Sequence, residues 1–173
     1  MNLPNKLTLL RIIMVPFFVA CLMIEFPYSH LWATAIFVIA SITDMLDGYI
    51  ARKYNLVTDF GKFADPIADK ILVISACVCL VEKSVIPAWS VLIVIFREFV
   101  ISGLRMAAAS KNVVIPADKL GKLKTVTQMI ALVLLMSGIL NYFYIPLILY
   151  YISVFLTFLS GAMYIIKSKD IIF

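Results

Sequence analysis

The sequence predicts an all-α membrane protein with six transmembrane helices and both termini in the cytoplasm. Three observations predict it: the composition, the length of the apolar runs and the placement of the basic residues. Hydrophobic residues make up 64% of the 173 residues and charged residues only 14%, whereas soluble domains are about half apolar. A soluble protein of this size could not bury so much apolar surface, so we expect one membrane domain over residues 1–173.

Each predicted helix is an apolar run bounded by charged or turn-forming residues. The runs lie near residues 7–26, 32–53, 61–81, 87–109, 121–140 and 146–166. Each is close to the length of about 20 residues that an α-helix needs to cross a bilayer. The runs lack the alternation of a strand, and only helices or closed barrels satisfy backbone groups in hydrocarbon, so each run is predicted to be a helix.

The basic residues favour one side of this arrangement. If charges within helices are assigned to their nearer end, the face that holds both termini collects all of the 15 Lys and Arg residues except Lys83. The positive-inside rule then places both termini in the cytoplasm. Because these residues lie at the ends of apolar runs, the net charge of +5 does not indicate a nucleic-acid partner.

Four aspartates interrupt the second and third predicted helices, where carboxylates are costly and usually functional. At about 100° per residue, each pair lies on one stripe of its helix together with small residues. The stripe on the second helix holds Asp44, Asp47, Gly48 and Ala51, and the stripe on the third holds Gly61, Asp65 and Asp69. We therefore expect the four carboxylates to face one another across a helix pair.

Four neighbouring carboxylates repel one another strongly and must be neutralised. Oxygen ligands without His or Cys favour Mg²⁺ or Mn²⁺ over Zn²⁺, and two such divalent cations suit phosphoryl transfer. The alternative is a set of buried ion pairs with Arg52 and Lys70 as partners. The four acids outnumber these two cations, which favours a metal site.

Residues 44–69 read D-M-L-D-G-Y-I-A-R, then eight residues, then G-K-F-A-D-P-I-A-D. This pattern resembles the signature of the CDP-alcohol phosphatidyltransferase family at every fixed position and spacing. The resemblance implies a six-helix, multi-pass enzyme of the cell membrane that forms a homodimer. It also implies an active site on the cytoplasmic side and transfer of a phosphatidyl group from CDP-diacylglycerol to an alcohol.

The resemblance assigns roles to residues by their position in the signature. The ligands of two divalent cations correspond to Asp44, Asp47, Asp65 and Asp69, and Asp69 also corresponds to the catalytic general base. The residues that shape the CDP-diacylglycerol site correspond to Gly48, Ala51, Arg52 and Gly61. Asn5, Thr8 and Arg11, near the N-terminus, are further candidates for contact with the nucleotide. Their alternative role is to cap and anchor the first helix at the membrane interface.

Three further segments resemble the branch of this family whose acceptor is glycerol 3-phosphate. They read N-L-P-N-K-L-T-L-L-R at the N-terminus, R-E-F-V-I-S-G-L-R in the fourth run and G-K-L-K-T-V-T-Q in the fifth. A phosphorylated acceptor requires cations, for which Arg is well suited. The candidates for binding its phosphate are Arg97, Arg105, Lys122 and Lys124. Alternatively, the two lysines only follow the positive-inside rule, and Arg97 only pairs with Glu98.

Other functions remain as alternatives at this point. A cation-coupled transporter also carries acids within the membrane, but such proteins usually show internal repeats, and this sequence shows none. A structural membrane protein has no need of charges inside its helices. Within the family, the branch that makes cardiolipin is the nearest alternative, since it differs in the acceptor and shares the metal site.

Overall fold

The computed structural model of the chain describes residues 3–53, 59–110, 119–138 and 144–172. Side chains are described for residues 7–44, 46, 67, 68, 70–108, 120–138 and 144–166. In these ranges the regular elements are six α-helices: α1 Leu3–Met23, α2 Ser29–Lys53, α3 Asp59–Glu82, α4 Ala88–Ser110, α5 Lys119–Ser137 and α6 Ile145–Ile172. The prediction of an all-α chain with six helices in this order is therefore confirmed.

The helix ends differ from the predicted runs by a few residues, and the largest differences have local causes. Helix α5 ends at Ser137 because the next residue, Gly138, has a φ of 69°. Glycine adopts this left-handed conformation without steric cost, and it commonly ends helices in this way. Helix α6 extends to Ile172, beyond the apolar run, since nothing in the polar segment after residue 166 breaks a helix.

One compact group of helices consists of α1, α2 and α3. Helix α1 packs along both α2 and α3, and α2 also contacts α3. Phe18 of α1 and Phe37 of α2 are both buried, and their ring centroids lie 5.7 Å apart. The fully buried Ala33 and Ala40 of α2 have small side chains that allow this close approach. This group carries all four signature aspartates.

A second compact group holds α4, α6 and most of α5. Helices α4 and α6 pack against each other, and the buried hydroxyls of Ser90 and Tyr150 share a hydrogen bond of 2.9 Å. The face of α6 toward α4 is rich in small and hydroxyl-bearing residues. Thr157 donates its hydroxyl hydrogen to the backbone carbonyl of Ser153 at 2.6 Å, so that a buried polar side chain is satisfied within its own helix.

The apolar residues on the outside of these helices indicate a membrane protein. Two stretches within the described residues are long and apolar enough to cross a membrane, Leu120–Ser137 in α5 and Ile145–Ile166 in α6. On α4 and α6, the aromatic side chains of Phe96, Phe99 and Phe158 are 65–70% exposed. Such surfaces are unfavourable in water and favourable against lipid.

Candidate functional site

The four signature aspartates lie on two helices that contact each other. Asp44 and Asp47 belong to the second half of α2, and Asp65 and Asp69 to the first half of α3. The structure describes the side chain of Asp44 alone among these four. The predicted roles of Asn5, Asp47, Gly48, Ala51, Arg52, Gly61, Asp65 and Asp69 fall outside the residues whose side chains are described.

Asp44 forms an ion pair with Arg11 of α1. The Arg11 side chain is 1% exposed and that of Asp44 is 40% exposed. Thr8, one helical turn before Arg11, is fully buried, so one face of α1 carries both polar residues into the helix group. A guanidinium in such surroundings requires an anion, because an unpaired buried charge is strongly destabilising.

Only a weak signal for this pair is present in the sequence. The buried ion-pair alternative names Arg52 and Lys70 as partners of the aspartates, and the structure adds Arg11 as a partner of Asp44. The signal was the position of Arg11 itself, one turn inside an apolar run and three residues after Thr8. This spacing places both residues on the same face of a helix.

Asp44 fits the predicted metal site by its chemistry and exposure. A carboxylate oxygen is a ligand that Mg²⁺ and Mn²⁺ prefer, and the exposed part of the side chain leaves it accessible to an ion. Among the residues that the structure describes, no group of three or more His, Cys, Asp or Glu side chains comes together. The other three predicted ligands lie outside that set, so the complete metal site stays a prediction.

The second group of helices holds a cluster of three charged side chains, Arg97, Glu98 and Lys124. Oε1 of Glu98 accepts hydrogen bonds from Nη1 of Arg97 and from Nζ of Lys124, each at 2.8 Å. Lys124 comes from α5 and the other two from α4, and all three side chains are largely buried. One carboxylate therefore contacts two cations that belong to two different helices.

Three small residues surround the side chain of Arg97. Nη2 of Arg97 donates a hydrogen bond to Oγ of Ser160 at 3.3 Å. A Cβ atom added to Gly161 would lie 3.1 Å from Cγ of Arg97, and one added to Gly121 would lie 3.1 Å from Nη2. Within the described part of the chain, Nε of Arg97 is buried and has no hydrogen-bond partner. Two nitrogens of the guanidinium are therefore held by Glu98 and Ser160, while Nε has no partner among the described residues.

The other two predicted phosphate-binding residues lie apart from this cluster. Arg105 is exposed, donates a hydrogen bond from Nε to the hydroxyl of Tyr164 at 3.3 Å, and has its guanidinium carbon 5.6 Å from the centre of that ring. Lys122 is exposed and makes no ion pair with any described residue. The structure therefore brings Arg97 and Lys124 together through Glu98. From the sequence, Glu98 was expected only as an ion-pair partner of Arg97.

An apolar groove of about 460 Å³ lies between α4 and α6. Its lining includes Leu92, Phe96, Val100 and Phe158, together with part of Arg97. A groove of this kind suits lipid acyl chains rather than a polar substrate, since most of its lining offers no hydrogen bond.

Within the described ranges, the chain is helical, two of its helices are long and apolar enough to cross a membrane, and α2 and α3 each carry two of the signature aspartates. These features indicate a membrane protein. The sequence profile of the CDP-alcohol phosphatidyltransferase family matches residues 1–159, and the chain belongs to this family. The resemblance found in residues 44–69 is thereby confirmed.

Relatives with assigned names are similar to the chain over almost its full length. A protein of Bacillus subtilis (strain 168) is 42% identical over 98% of this chain and 96% of its own length. One of Rickettsia bellii is 45% identical over 94% of this chain and 93% of its own. One of Haemophilus influenzae is 42% identical over 97% and 94%, respectively. Each relative is named CDP-diacylglycerol–glycerol-3-phosphate 3-phosphatidyltransferase.

Proposed function

We propose that the protein transfers the phosphatidyl group of CDP-diacylglycerol to glycerol 3-phosphate, giving phosphatidylglycerophosphate and CMP. Membership of the CDP-alcohol phosphatidyltransferase family supports the reaction class. The choice of glycerol 3-phosphate as the acceptor rests on one observation. Nearly the whole chain is similar to relatives named for transfer to glycerol 3-phosphate. The reaction belongs to the synthesis of anionic phospholipids.

The charges in the second helix group support a phosphorylated acceptor. Arg97 and Lys124 both contact the carboxylate of Glu98, so two cations lie close enough together to bind one anion. In a partly desolvated site such a cluster binds a phosphate far better than a neutral hydroxyl compound. We assign the acceptor phosphate to Arg97 and Lys124, with Arg105 and Lys122 as further cations.

In the proposed reaction, Asp69 takes the proton from the primary hydroxyl of glycerol 3-phosphate. The hydroxyl oxygen then forms a bond to the phosphorus that carries diacylglycerol, and the bond from that phosphorus to the bridging oxygen of CMP breaks. Asp44, Asp47, Asp65 and Asp69 would hold two divalent cations, Mg²⁺ or Mn²⁺. When bound, these ions neutralise charge on the pyrophosphate and on the leaving CMP.

The nucleotide part of CDP-diacylglycerol is proposed to contact the small residues beside the acids and the start of α1. Gly48, Ala51 and Gly61 leave room for a bulky ligand near the helix backbones. Arg52, Asn5 and Thr8 supply polar groups for the cytidine and its phosphates. The buried position of Thr8, one turn from the Arg11–Asp44 ion pair, supports its place in this site.

The proposed setting is the cell membrane, with six spans, cytoplasmic termini and the active site on the cytoplasmic side. The lopsided distribution of Lys and Arg supports this orientation. We further propose that residues 1–173 form one membrane domain that works as a homodimer, surrounded by lipids that contact the exposed aromatic faces. Nucleic acid has no part in this function.

Comparison of acceptors tests the proposal. Purified protein in detergent with CDP-diacylglycerol is offered glycerol 3-phosphate, phosphatidylglycerol, myo-inositol, inositol phosphate or serine, while CMP and the lipid product are measured. We expect CMP release with glycerol 3-phosphate and a lipid that bears a terminal phosphate. Preference for phosphatidylglycerol would instead indicate the cardiolipin-forming branch. Cation flux across vesicles without CMP release would indicate a transporter.

A further inference from the structure

We infer that Glu98 is a positioning residue for the acceptor phosphate: its carboxylate holds Arg97 and Lys124 in the arrangement that binds the phosphate. The inference rests on the proposed function, since it assigns a role in binding glycerol 3-phosphate. In this proposal, Glu98 does not itself contact the acceptor, and its charge has the same sign as that of the phosphate.

The geometry of the cluster carries this inference. A single oxygen, Oε1 of Glu98, accepts hydrogen bonds from Arg97 and from Lys124 at 2.8 Å each. The two cations belong to different helices, α4 and α5, so the carboxylate sets the distance between charges that would otherwise repel each other. Because both cations contact the same atom, they are only a few ångström apart, which is the spacing needed to bind one phosphate together.

Arg97 is also constrained from other directions. Ser160 accepts a hydrogen bond from Nη2, and Gly161 packs directly against the aliphatic part of the side chain. With Nη1 bound to Glu98, both terminal nitrogens of the guanidinium are held, while Nε lacks a partner among the described residues. An arginine that served only to neutralise Glu98 would not need this enclosure, nor would Glu98 then need a second cation.

The charge of the cluster decides between positioning and simple neutralisation. The carboxylate of Glu98 contacts both cations and adds a negative charge beside the proposed phosphate site. Loss of the carboxylate would increase the positive charge of the cluster but remove its geometry, because two adjacent cations without a shared anion move apart. Positioning therefore predicts weaker acceptor binding on loss of Glu98, whereas charge alone predicts stronger binding.

Steady-state kinetics on four single variants and one double variant tests the inference. Glu98→Gln removes the charge, Glu98→Asp keeps it on a shorter side chain, and Lys124→Met removes one cation. Glu82→Gln makes the same chemical change at an exposed carboxylate at the end of α3 and serves as the control. Rates of CMP release are measured with glycerol 3-phosphate varied at saturating CDP-diacylglycerol and the reverse, and thermal unfolding is followed in the same detergent.

We expect Glu98→Gln to raise the KM for glycerol 3-phosphate about tenfold, the size of one charge-assisted hydrogen bond, and to leave the KM for CDP-diacylglycerol within about twofold. Glu98→Asp is expected to restore part of the loss, and Glu82→Gln to behave as the wild type. In the Lys124→Met background, Glu98→Gln is expected to raise the KM for glycerol 3-phosphate by a smaller factor than in the wild type. The reason is that Glu98 acts in part through Lys124.

Several outcomes overturn the inference. It is wrong if Lys124→Met raises the acceptor KM while Glu98→Gln leaves it unchanged or lowers it, a result under which the proposed function still stands. It is also wrong if Glu98 variants lose thermal stability and rate without a selective change in acceptor KM, in which case Glu98 is structural. If Glu98→Gln does not fold, Glu98→Asp decides between these outcomes. If the wild type releases no CMP with glycerol 3-phosphate, both the proposed function and the inference fail.

Discussion

At the scale of single residues, the ion pair between Arg11 and Asp44 links stability to the proposed chemistry. Arg11 is almost fully buried, whereas Asp44 remains partly exposed. Removing one partner of such a pair costs more than replacing both, because it leaves a buried charge without its counter-charge. Since Asp44 is also a proposed metal ligand, stability and activity should respond differently to single and double substitutions.

We expect Asp44→Asn to lower the free energy of unfolding by about 1 to 3 kcal/mol, because the buried guanidinium loses its carboxylate partner. The same variant is expected to lose nearly all CMP release through loss of a metal ligand. The double variant Arg11→Met, Asp44→Asn is expected to regain stability but no activity. Thermal unfolding and CMP release measure these effects. A double variant less stable than the single one would contradict this account of the pair.

Asp69 is proposed as the general base, and its replacement tests that role. Asp69→Asn is expected to reduce the rate by about 10² to 10⁴, which is the usual contribution of a general base. Because Asp69 is also a proposed metal ligand, bound metal and binding of CDP-diacylglycerol are measured on the same variant. Turnover close to that of the wild type would exclude Asp69 as the base.

At the scale of helices, the small residues of α6 determine how its neighbours approach. Ser153, Thr157, Ser160 and Gly161 occupy buried positions on this helix. Without large side chains there, α4 packs closely and the side chain of Arg97 lies against the glycine. Packing of small residues is a common basis of helix association in membranes. The position of Arg97 thus depends on the absence of a methyl group at residue 161 of another helix.

Gly161→Ala is expected to displace Arg97 and to raise the KM for glycerol 3-phosphate, since the added Cβ would lie 3.1 Å from Cγ of Arg97. Gly103→Ala is the matched control, because no atom lies within 4 Å of a Cβ added there. The control is expected to keep normal kinetics and to gain up to about 1 kcal/mol from helix propensity. Equal kinetics for the two variants would mean that Arg97 does not depend on Gly161.

The acidic stripes of α2 and α3 lead to a prediction about metal. If carboxylates on these two helices hold divalent cations, EDTA is expected to abolish CMP release, and Mg²⁺ or Mn²⁺ to restore it. Zn²⁺ is expected to be a poor substitute at a site made only of oxygen ligands. The measurement is CMP release after dialysis against chelator and addition of each ion. Full activity in chelator would rule out the metal site.

At the scale of the whole molecule, the exposed surface is suited to lipid. Large apolar side chains such as Phe96 and Phe158 lie exposed on α4 and α6. Together with membership of the CDP-alcohol phosphatidyltransferase family, these surfaces indicate a membrane protein. Most Lys and Arg residues are predicted to lie on the side that holds both termini, which the positive-inside rule assigns to the cytoplasm. Orientation in the membrane is therefore open to a direct labelling experiment.

In a background without native cysteines, Lys83→Cys is expected to react with a membrane-impermeant maleimide in intact cells, because Lys83 belongs to the side opposite the termini. A cysteine in place of Lys111 is expected to react only after the cells are broken. Labelling of both variants is compared on gels, with total cysteine measured after denaturation. The reverse pattern would invert the proposed orientation and place the site outside the cell.

The sequence by itself determined the helices and the family. Long apolar runs and turn residues are local features, so they predicted the six helices to within a few residues, and the spacing of residues 44–69 identified the family. The sequence also identified Arg97 and Lys124 as candidates for binding the acceptor phosphate, but it did not distinguish Lys122 from Lys124. Lys122 and Lys124 are about 200° apart around a helix, and nothing local distinguishes the two faces.

The tertiary structure decided which charges meet. It buries Lys124 and joins it to Glu98, leaves Lys122 exposed, and pairs Arg11 with Asp44 on another helix. These contacts join residues far apart in the chain. They depend on which helix faces pack together and on the small residues, such as Gly161, that allow close approach. Local periodicity does not contain that information, because it gives the direction of a side chain around its own helix and not the neighbour that it meets.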